Sequence, residues 1–337
     1  MKKIITSIFV IASFLSPFVM AEQINLYSAR KEALIKPLLD KFTAETGISV
    51  NLVTGNADNL ITRLANEGKY SPADLLLTTD VGRLYRAKQQ GLTQAINTTQ
   101  ATASVPSNFR DSQGHWIGLS LRARPIMVSA DRVDSNAITR LEDLVKPEWK
   151  GRICIRSSSN IYNQSMVASM ISQIGEVNTQ EWVKQFVKNF ARPPQGGDRD
   201  QIKAVAAGQC DVAIANTYYL AGMLTSKDET TVSQAQKVNV IWPNQDSRGA
   251  HVNISGVALT KYAPNAEVAS QLIDFLLNEK SQQWYATTNH EYPVLPDIAW
   301  SDVLKKFGTF KMEQVPLTEL GVYNADAVKI MDRAGWK

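Results

Sequence analysis

Apolar positions along the chain switch repeatedly between a period of two and a period near four, which predicts strands followed by helices. Residues 23–28 read as a strand. Residues 32–46 place Leu34, Ile35, Leu38, Leu39 and Phe42 on one helical face, and Gly47 follows where a helix ends in left-handed backbone. A strand over 48–54, a helix over 59–67, a strand over 73–78 and a helix over 81–90, stopped by Gly91, complete a βαβαβα series. Such alternation implies a parallel sheet covered by helices, the start of a doubly wound lobe.

From Trp116 the pattern stays extended through residue 129, long enough to pass from one lobe into another. A second set follows: a segment over 138–145, a strand over 152–156, helices over 162–174, 179–190 and 199–207, and a strand over 211–215. Strands over 238–242 and 251–259 come next, the latter reading as a return crossing, before helices over 267–277 and 279–285 and a tail of short helices. The expected fold is α/β and two-lobed, with an N-terminal lobe of 22–121 plus 246–298 and a C-terminal lobe of 122–245 plus 299–337. Two crossing strands would form its hinge. Length agrees, because about 316 residues lie beyond the first 21, more than one core usually organises.

Those first residues carry Lys2 and Lys3, an apolar run over 4–20 and then Ala21, the pattern of a secretory signal peptide over 1–21. An uncleaved anchor is the alternative, opposed by the shortness of the run and by Pro17. The formal net charge of +4 falls by two without Lys2 and Lys3. With no basic run, nucleic acid is not the expected partner, which leaves a small ligand or another protein. Two cysteines, Cys154 and Cys210, in an exported chain invite a disulfide that would tie two tyrosine-bearing strands together; two separate buried thiols are the alternative.

The candidate chemistry lies in those tyrosines. Tyr218 and Tyr219 follow the apolar run over 210–216, and Tyr162 follows the run over 152–156 through a Ser-Ser-Ser-Asn turn. All three therefore stand at carboxyl ends of strands, where ligands of open α/β sheets bind. Phenolate is a hard anionic oxygen ligand that suits a small trivalent cation, and Fe(III) is the expected one. A free phenol ionises near pH 10, so the cation must drive deprotonation, helped at Tyr162 by the positive end of its predicted helix. Tyr218 and Tyr219 reach one ion only if the chain turns, as in a loop between 216 and 220. Ordinary aromatic packing is the alternative. His115, His251 and His290 lack metal-ligand spacing and read as structural. No nucleophile elbow, phosphate loop or paired carboxylate motif stands out, so binding is expected rather than catalysis.

Several segments resemble the periplasmic ferric-iron-binding proteins that serve ABC importers: Leu26-Tyr-Ser-Ala-Arg30, Thr54-Gly55, Ala73-Asp-Leu-Leu-Leu-Thr-Thr-Asp80, Trp116-Ile-Gly-Leu-Ser-Leu-Arg-Ala-Arg124 and Asn216-Thr-Tyr-Tyr219. The resemblance implies a type II periplasmic binding protein fold and a monomer in the periplasm. Its cleft would close on ferric ion and present the cargo to an inner-membrane ABC permease. It also implies Tyr162, Tyr218 and Tyr219 as second-lobe ligands, with a carbonate-like anion completing the shell. Arg122 and Arg124, two apart on an extended segment and so on one face, would join Arg30 in offering forked donors to that anion. Salt bridges are the alternative role for these arginines. Where relatives place histidine or tyrosine as a first-lobe ligand, this chain has Lys31 and Glu32. An anion, water or Asp80 would fill the vacancy, although Asp80 also reads as the N-cap of the helix starting at Val81. Rival readings are a carrier for an organic anion or phosphonate and an exported transferase-like enzyme.

Overall fold

The computed structural model describes residues 22–97 and 99–337. The signal-peptide reading of residues 1–21 lies outside them. Eleven strands are assigned among the described residues: β1 (Gln23–Ser28), β2 (Ser49–Thr54), β3 (Leu75–Thr79), β4 (Thr93–Gln94), β5 (Ile117–Ala123), β6 (Ile126–Ser129), β7 (Ile153–Cys154), β8 (Val212–Ile214), β9 (Val238–Ile241), β10 (Val252–Thr260) and β11 (Tyr292–Pro293). They form two sheets, one ordered β11-β5-β10-β3-β1-β2 with β4 on β10, the other β7-β8-β6-β9. Each sheet with its helices is one lobe of a two-lobed α/β fold.

Neither sheet is purely parallel, which corrects the expectation from strand–helix alternation. β1 pairs in parallel with β2 and β3, as the βαβ pattern requires, but β10 runs antiparallel to both β3 and β5. In the second sheet only β7 and β8 are parallel. The reason is topological: β10 enters the first sheet from the other lobe, and no crossover helix turns it round.

Local chemistry sets the element ends. The helix Glu32–Thr46 buries Ile35, Leu38, Leu39 and Phe42 and closes at Gly47, whose φ of 76° suits glycine. The helix Ala57–Glu67 starts two residues before its expected beginning, because the Asn56 side chain accepts from the backbone N–H groups of Asp58 and Asn59. Ile24, Leu26 and Leu77 pack with Leu272, Ile273 and Leu276 of the helix Ala266–Leu277 in the first core. The second core contains a ring cluster in which Phe186 stacks on Trp182 at 4.5 Å and meets Trp336 edge-on at 5.4 Å, pairs that each add about 0.5–1.5 kcal/mol beyond area burial.

The chain passes between lobes at Arg124–Pro125, at residues 242–251, and again in the tail after β11. The first two passages are joined by the Arg124 N–H donating to the His251 carbonyl at 3.0 Å. In the tail, the helix Leu317–Val322 packs against both the first-lobe helix Val81–Gln89 and the second-lobe helix Ile161–Ile174. Gly321 permits this approach, since any Cβ there would collide with the ring of Tyr85.

Cys154 and Cys210 form a disulfide with Cα atoms 5.8 Å apart and 56 residues apart in sequence. Closing a loop of that size stabilises a fold by about 4 kcal/mol on the chain-entropy model. The double variant Cys154→Ser with Cys210→Ser is therefore expected to lose about 4 kcal/mol of unfolding free energy in urea titration. An unchanged midpoint and slope would show that the bridge adds nothing.

Candidate metal centre

β7 and β8 lie side by side in parallel, pairing Cys154 with Ala213, so their carboxyl ends open onto the same edge of the second lobe. From the end of β7 the chain turns through Ser157–Asn160 into the helix Ile161–Ile174, and Tyr162 falls in its first turn. From β8 it passes Asn216 into the helix Thr217–Leu224, which holds Tyr218 and Tyr219 in its first turn. The expected loop over 216–220 is thus a helix start: Asn216 occupies the N-cap in extended backbone, and the turn needed to splay the phenols is supplied there. The Tyr218 and Tyr219 ring centroids are 4.3 Å apart, and the Tyr218 hydroxyl accepts from Asn216 Nδ2 at 3.1 Å.

These phenols face an interlobe cavity of about 320 Å³. The first lobe contributes Arg30, Lys31, Thr79, Arg122, His290 and Glu291 to its walls; Arg199 and Thr225 join the tyrosines on the second. Arg122 reaches across, its Nη2 donating to the Tyr218 hydroxyl at 2.9 Å. Its guanidinium lies 4.9 Å from the Tyr162 ring centroid and 4.7 Å from that of Tyr218, within range of a cation–π attraction. Arg199 similarly covers Tyr219 at 5.0 Å. Other contacts crossing the cleft are Ser165 Oγ donating to Asp80 at 2.9 Å and Thr225 Oγ1 with His290 Nε2 at 3.0 Å.

Electrostatics separate the phenols. Burial works to raise the Tyr162 pKa, but the Arg122 charge and hydrogen bonding with Thr79, Tyr218 and Arg122 outweigh it, leaving it below the ordinary tyrosine value. For Tyr218 burial dominates, Tyr162 and Tyr219 add to it, and Arg122 only partly offsets them, so its pKa lies well above ordinary. Tyr219 is raised for the same leading reason. Burial thus opposes ionisation at Tyr218 and Tyr219, while Arg122 favours it at Tyr162.

The arginines take different places. Arg30 and Arg122 line the cavity and share Glu291, a carboxylate 3% exposed that sequence reasoning did not single out. Burial pushes the Glu291 carboxyl up, but the charges of Arg30 and Arg122 and hydrogen bonds from Arg30 and Ser120 hold it below the usual range. Arg124, expected to contact the anion, does not line this cavity. β5 ends at Ala123 and Pro125 follows, so the face alternation that would align Arg124 with Arg122 breaks. Arg124 instead donates to Asn163 Oδ1 at 2.6 Å, Asn216 Oδ1 at 3.1 Å and the Ile214 carbonyl, with Asp198 at 3.4 Å. It thereby ties the starts of both tyrosine helices to the lobe junction.

Asp80 is also spent inside the protein. Its φ is 96°, Oδ1 accepts from the Gly82 N–H at 2.9 Å, and Ser165 and Asn253 donate to the carboxylate. Burial raises its pKa. The N-cap reading is the one its contacts fulfil, and it does not line the tyrosine cavity. His115 bonds Thr93 and His251 bonds Glu313 away from the cleft, whereas His290 lines it.

Two α/β lobes joined at adjacent crossings, with a polar cavity between them walled by side chains of both, define a solute-binding protein. The chain belongs to the bacterial extracellular solute-binding protein family, whose model matches residues 71–307. It is 47% identical over 316 residues to iron uptake protein A1 of Synechocystis sp., covering 94% of this chain and 88% of that one. Its fold is similar to the Trichodesmium IdiA (FutA) protein in complex with iron and citrate, with 46% identity, a TM-score of 0.90, and coverage of 94% of this chain and all of that one. It is likewise similar to the ferric binding protein of Campylobacter jejuni, with 36% identity, a TM-score of 0.89, and coverage of 93% and 100%.

Proposed function

We propose that this protein captures Fe(III) in its interlobe cleft through the phenolates of Tyr162, Tyr218 and Tyr219 and delivers it, in the periplasm, to an ABC permease. The observation that carries this reading is three phenols on one lobe's edge, gathered in one cavity beneath the Arg122 cation of the other lobe. Three phenolates balance the charge of a ferric ion and supply the hard oxygen donors it prefers. The relatives named for iron uptake and ferric binding support the cargo.

Tyrosines fill only part of an octahedral shell, and the first-lobe wall offers mainly cations: Arg30, Lys31 and Arg122, with Glu291 as counter-charge. That wall favours an anion, carbonate or a polycarboxylate, on the open face of the ion. The lobes would close about the paired passages at Arg124–Pro125 and His251, ligand binding biasing an open–closed equilibrium. Among the described residues no helix is long and apolar enough to cross a membrane.

Apoprotein given ferric citrate is expected to develop a purple phenolate-to-iron charge-transfer band and to melt at a higher temperature, since ligand binding to the native state alone adds stability. A colourless protein with an unmoved melting temperature would rule ferric capture out. One that stays colourless but is stabilised by citrate alone would favour an organic-anion carrier.

A further inference from the structure

We propose that Glu291 is a positioning residue for iron capture: it cancels Arg30 and turns Arg122 so that one edge of its guanidinium is presented to the phenol oxygens. The proposal rests on the ferric reading of the cleft. Glu291 stands just before β11, the strand that pairs with β5. Its Oε2 accepts from Arg30 Nη2 at 2.8 Å and, closely, from Ser120 Oγ. That leaves Oε1 to face Arg122 Nε at 3.5 Å. Arg122 thus sets its buried Nε, which has no hydrogen-bond partner, against the Glu291 charge while Nη2 reaches Tyr218 in the second lobe at 2.9 Å.

Glu291, Arg30, Ser120 and Arg122 are each at most 6% exposed, so water screens them little. Removing the carboxylate charge leaves two buried guanidinium groups with no counter-ion between them, and each moves away from the other. Arg122 then loses its aim. A hydrogen bond to a metal-bound phenolate lowers the energy of the electrons it donates, so charge transfer to iron requires more energy. Once Arg122 swings off Tyr218, the visible band moves to longer wavelength.

The test is Glu291→Gln, which keeps the shape of the side chain. Its iron complex is expected to show a red-shifted charge-transfer band and an iron affinity about 10- to 100-fold lower, the usual cost of losing a neighbour that orients a metal ligand. Glu291→Asp should recover part of both. If Glu291→Gln does not fold, Arg122→Lys keeps the charge without the fork and is expected to give the same red shift. A Glu291→Gln protein with the wild-type band and affinity, or one altered only in melting temperature, overturns the proposal, as does an unshifted Arg122→Lys. A colourless wild-type protein overturns the ferric reading itself, so the two failures are distinguishable.

Discussion

Tyr218→Phe is expected to lose the purple band and to bind iron more than about 100-fold less tightly, beyond the roughly 10- to 100-fold cost of removing a neighbour that merely orients a ligand. The substitution deletes one oxygen and little else. Its ring would still lie 4.7 Å from the Arg122 guanidinium and 4.3 Å from Tyr219, so the packing of the cleft survives. What goes is the acceptor of hydrogen bonds from Arg122 and from Asn216 Nδ2 at 3.1 Å, together with one of the three phenol oxygens. The iron-free variant should therefore melt close to wild type, while competition titration against a ferric chelator registers the lost affinity. Tyr219→Phe and Tyr162→Phe should act in the same direction. Wild-type affinity and colour in Tyr218→Phe would remove that phenol from the coordination shell.

The tyrosine cluster is legible in the sequence because each member follows an apolar strand-like run by a short turn, and neighbouring strand ends bring such residues together. The contacts that orient them are not. Glu291 and Arg30 are 261 residues apart, and no local pattern marks a buried carboxylate as their meeting point. Arg124 falls outside the cavity that Arg122 lines because the two-residue alternation holds only while the strand lasts, and β5 stops one residue short of it. The helix Thr217–Leu224 reads locally as loop or strand, since TYYLAGML is apolar almost throughout and shows no helical period; Asn216 at its N-cap is the one cue. Mixed strand direction escapes for a related reason: the sense in which β10 enters its sheet is decided by the other lobe, far away along the chain.

Acidification is expected to release the iron steeply, with apparent affinity falling roughly 100- to 1000-fold per pH unit, tenfold for each proton exchanged. The sign follows from the phenols. In the iron-free protein burial holds Tyr218 well above the ordinary tyrosine value and raises Tyr219 as well, so both are protonated at neutral pH. Tyr162 is lowered because Arg122 and its hydrogen bonds outweigh burial, but it too takes up a proton as the pH falls. Binding iron expels two to three protons, and each step towards acid pushes that exchange back. A shell of ordinary carboxylates would behave differently, since they remain ionised down to about pH 4 and would hold the ion until then. Titrating the visible band against pH in a buffered ferric chelator measures both midpoint and slope. A slope of two to three protons per ion fits a tyrosine shell in which the charge of Arg122 stays fixed throughout. A slope below one, or a band unchanged into strong acid, would mean that some other group holds the iron.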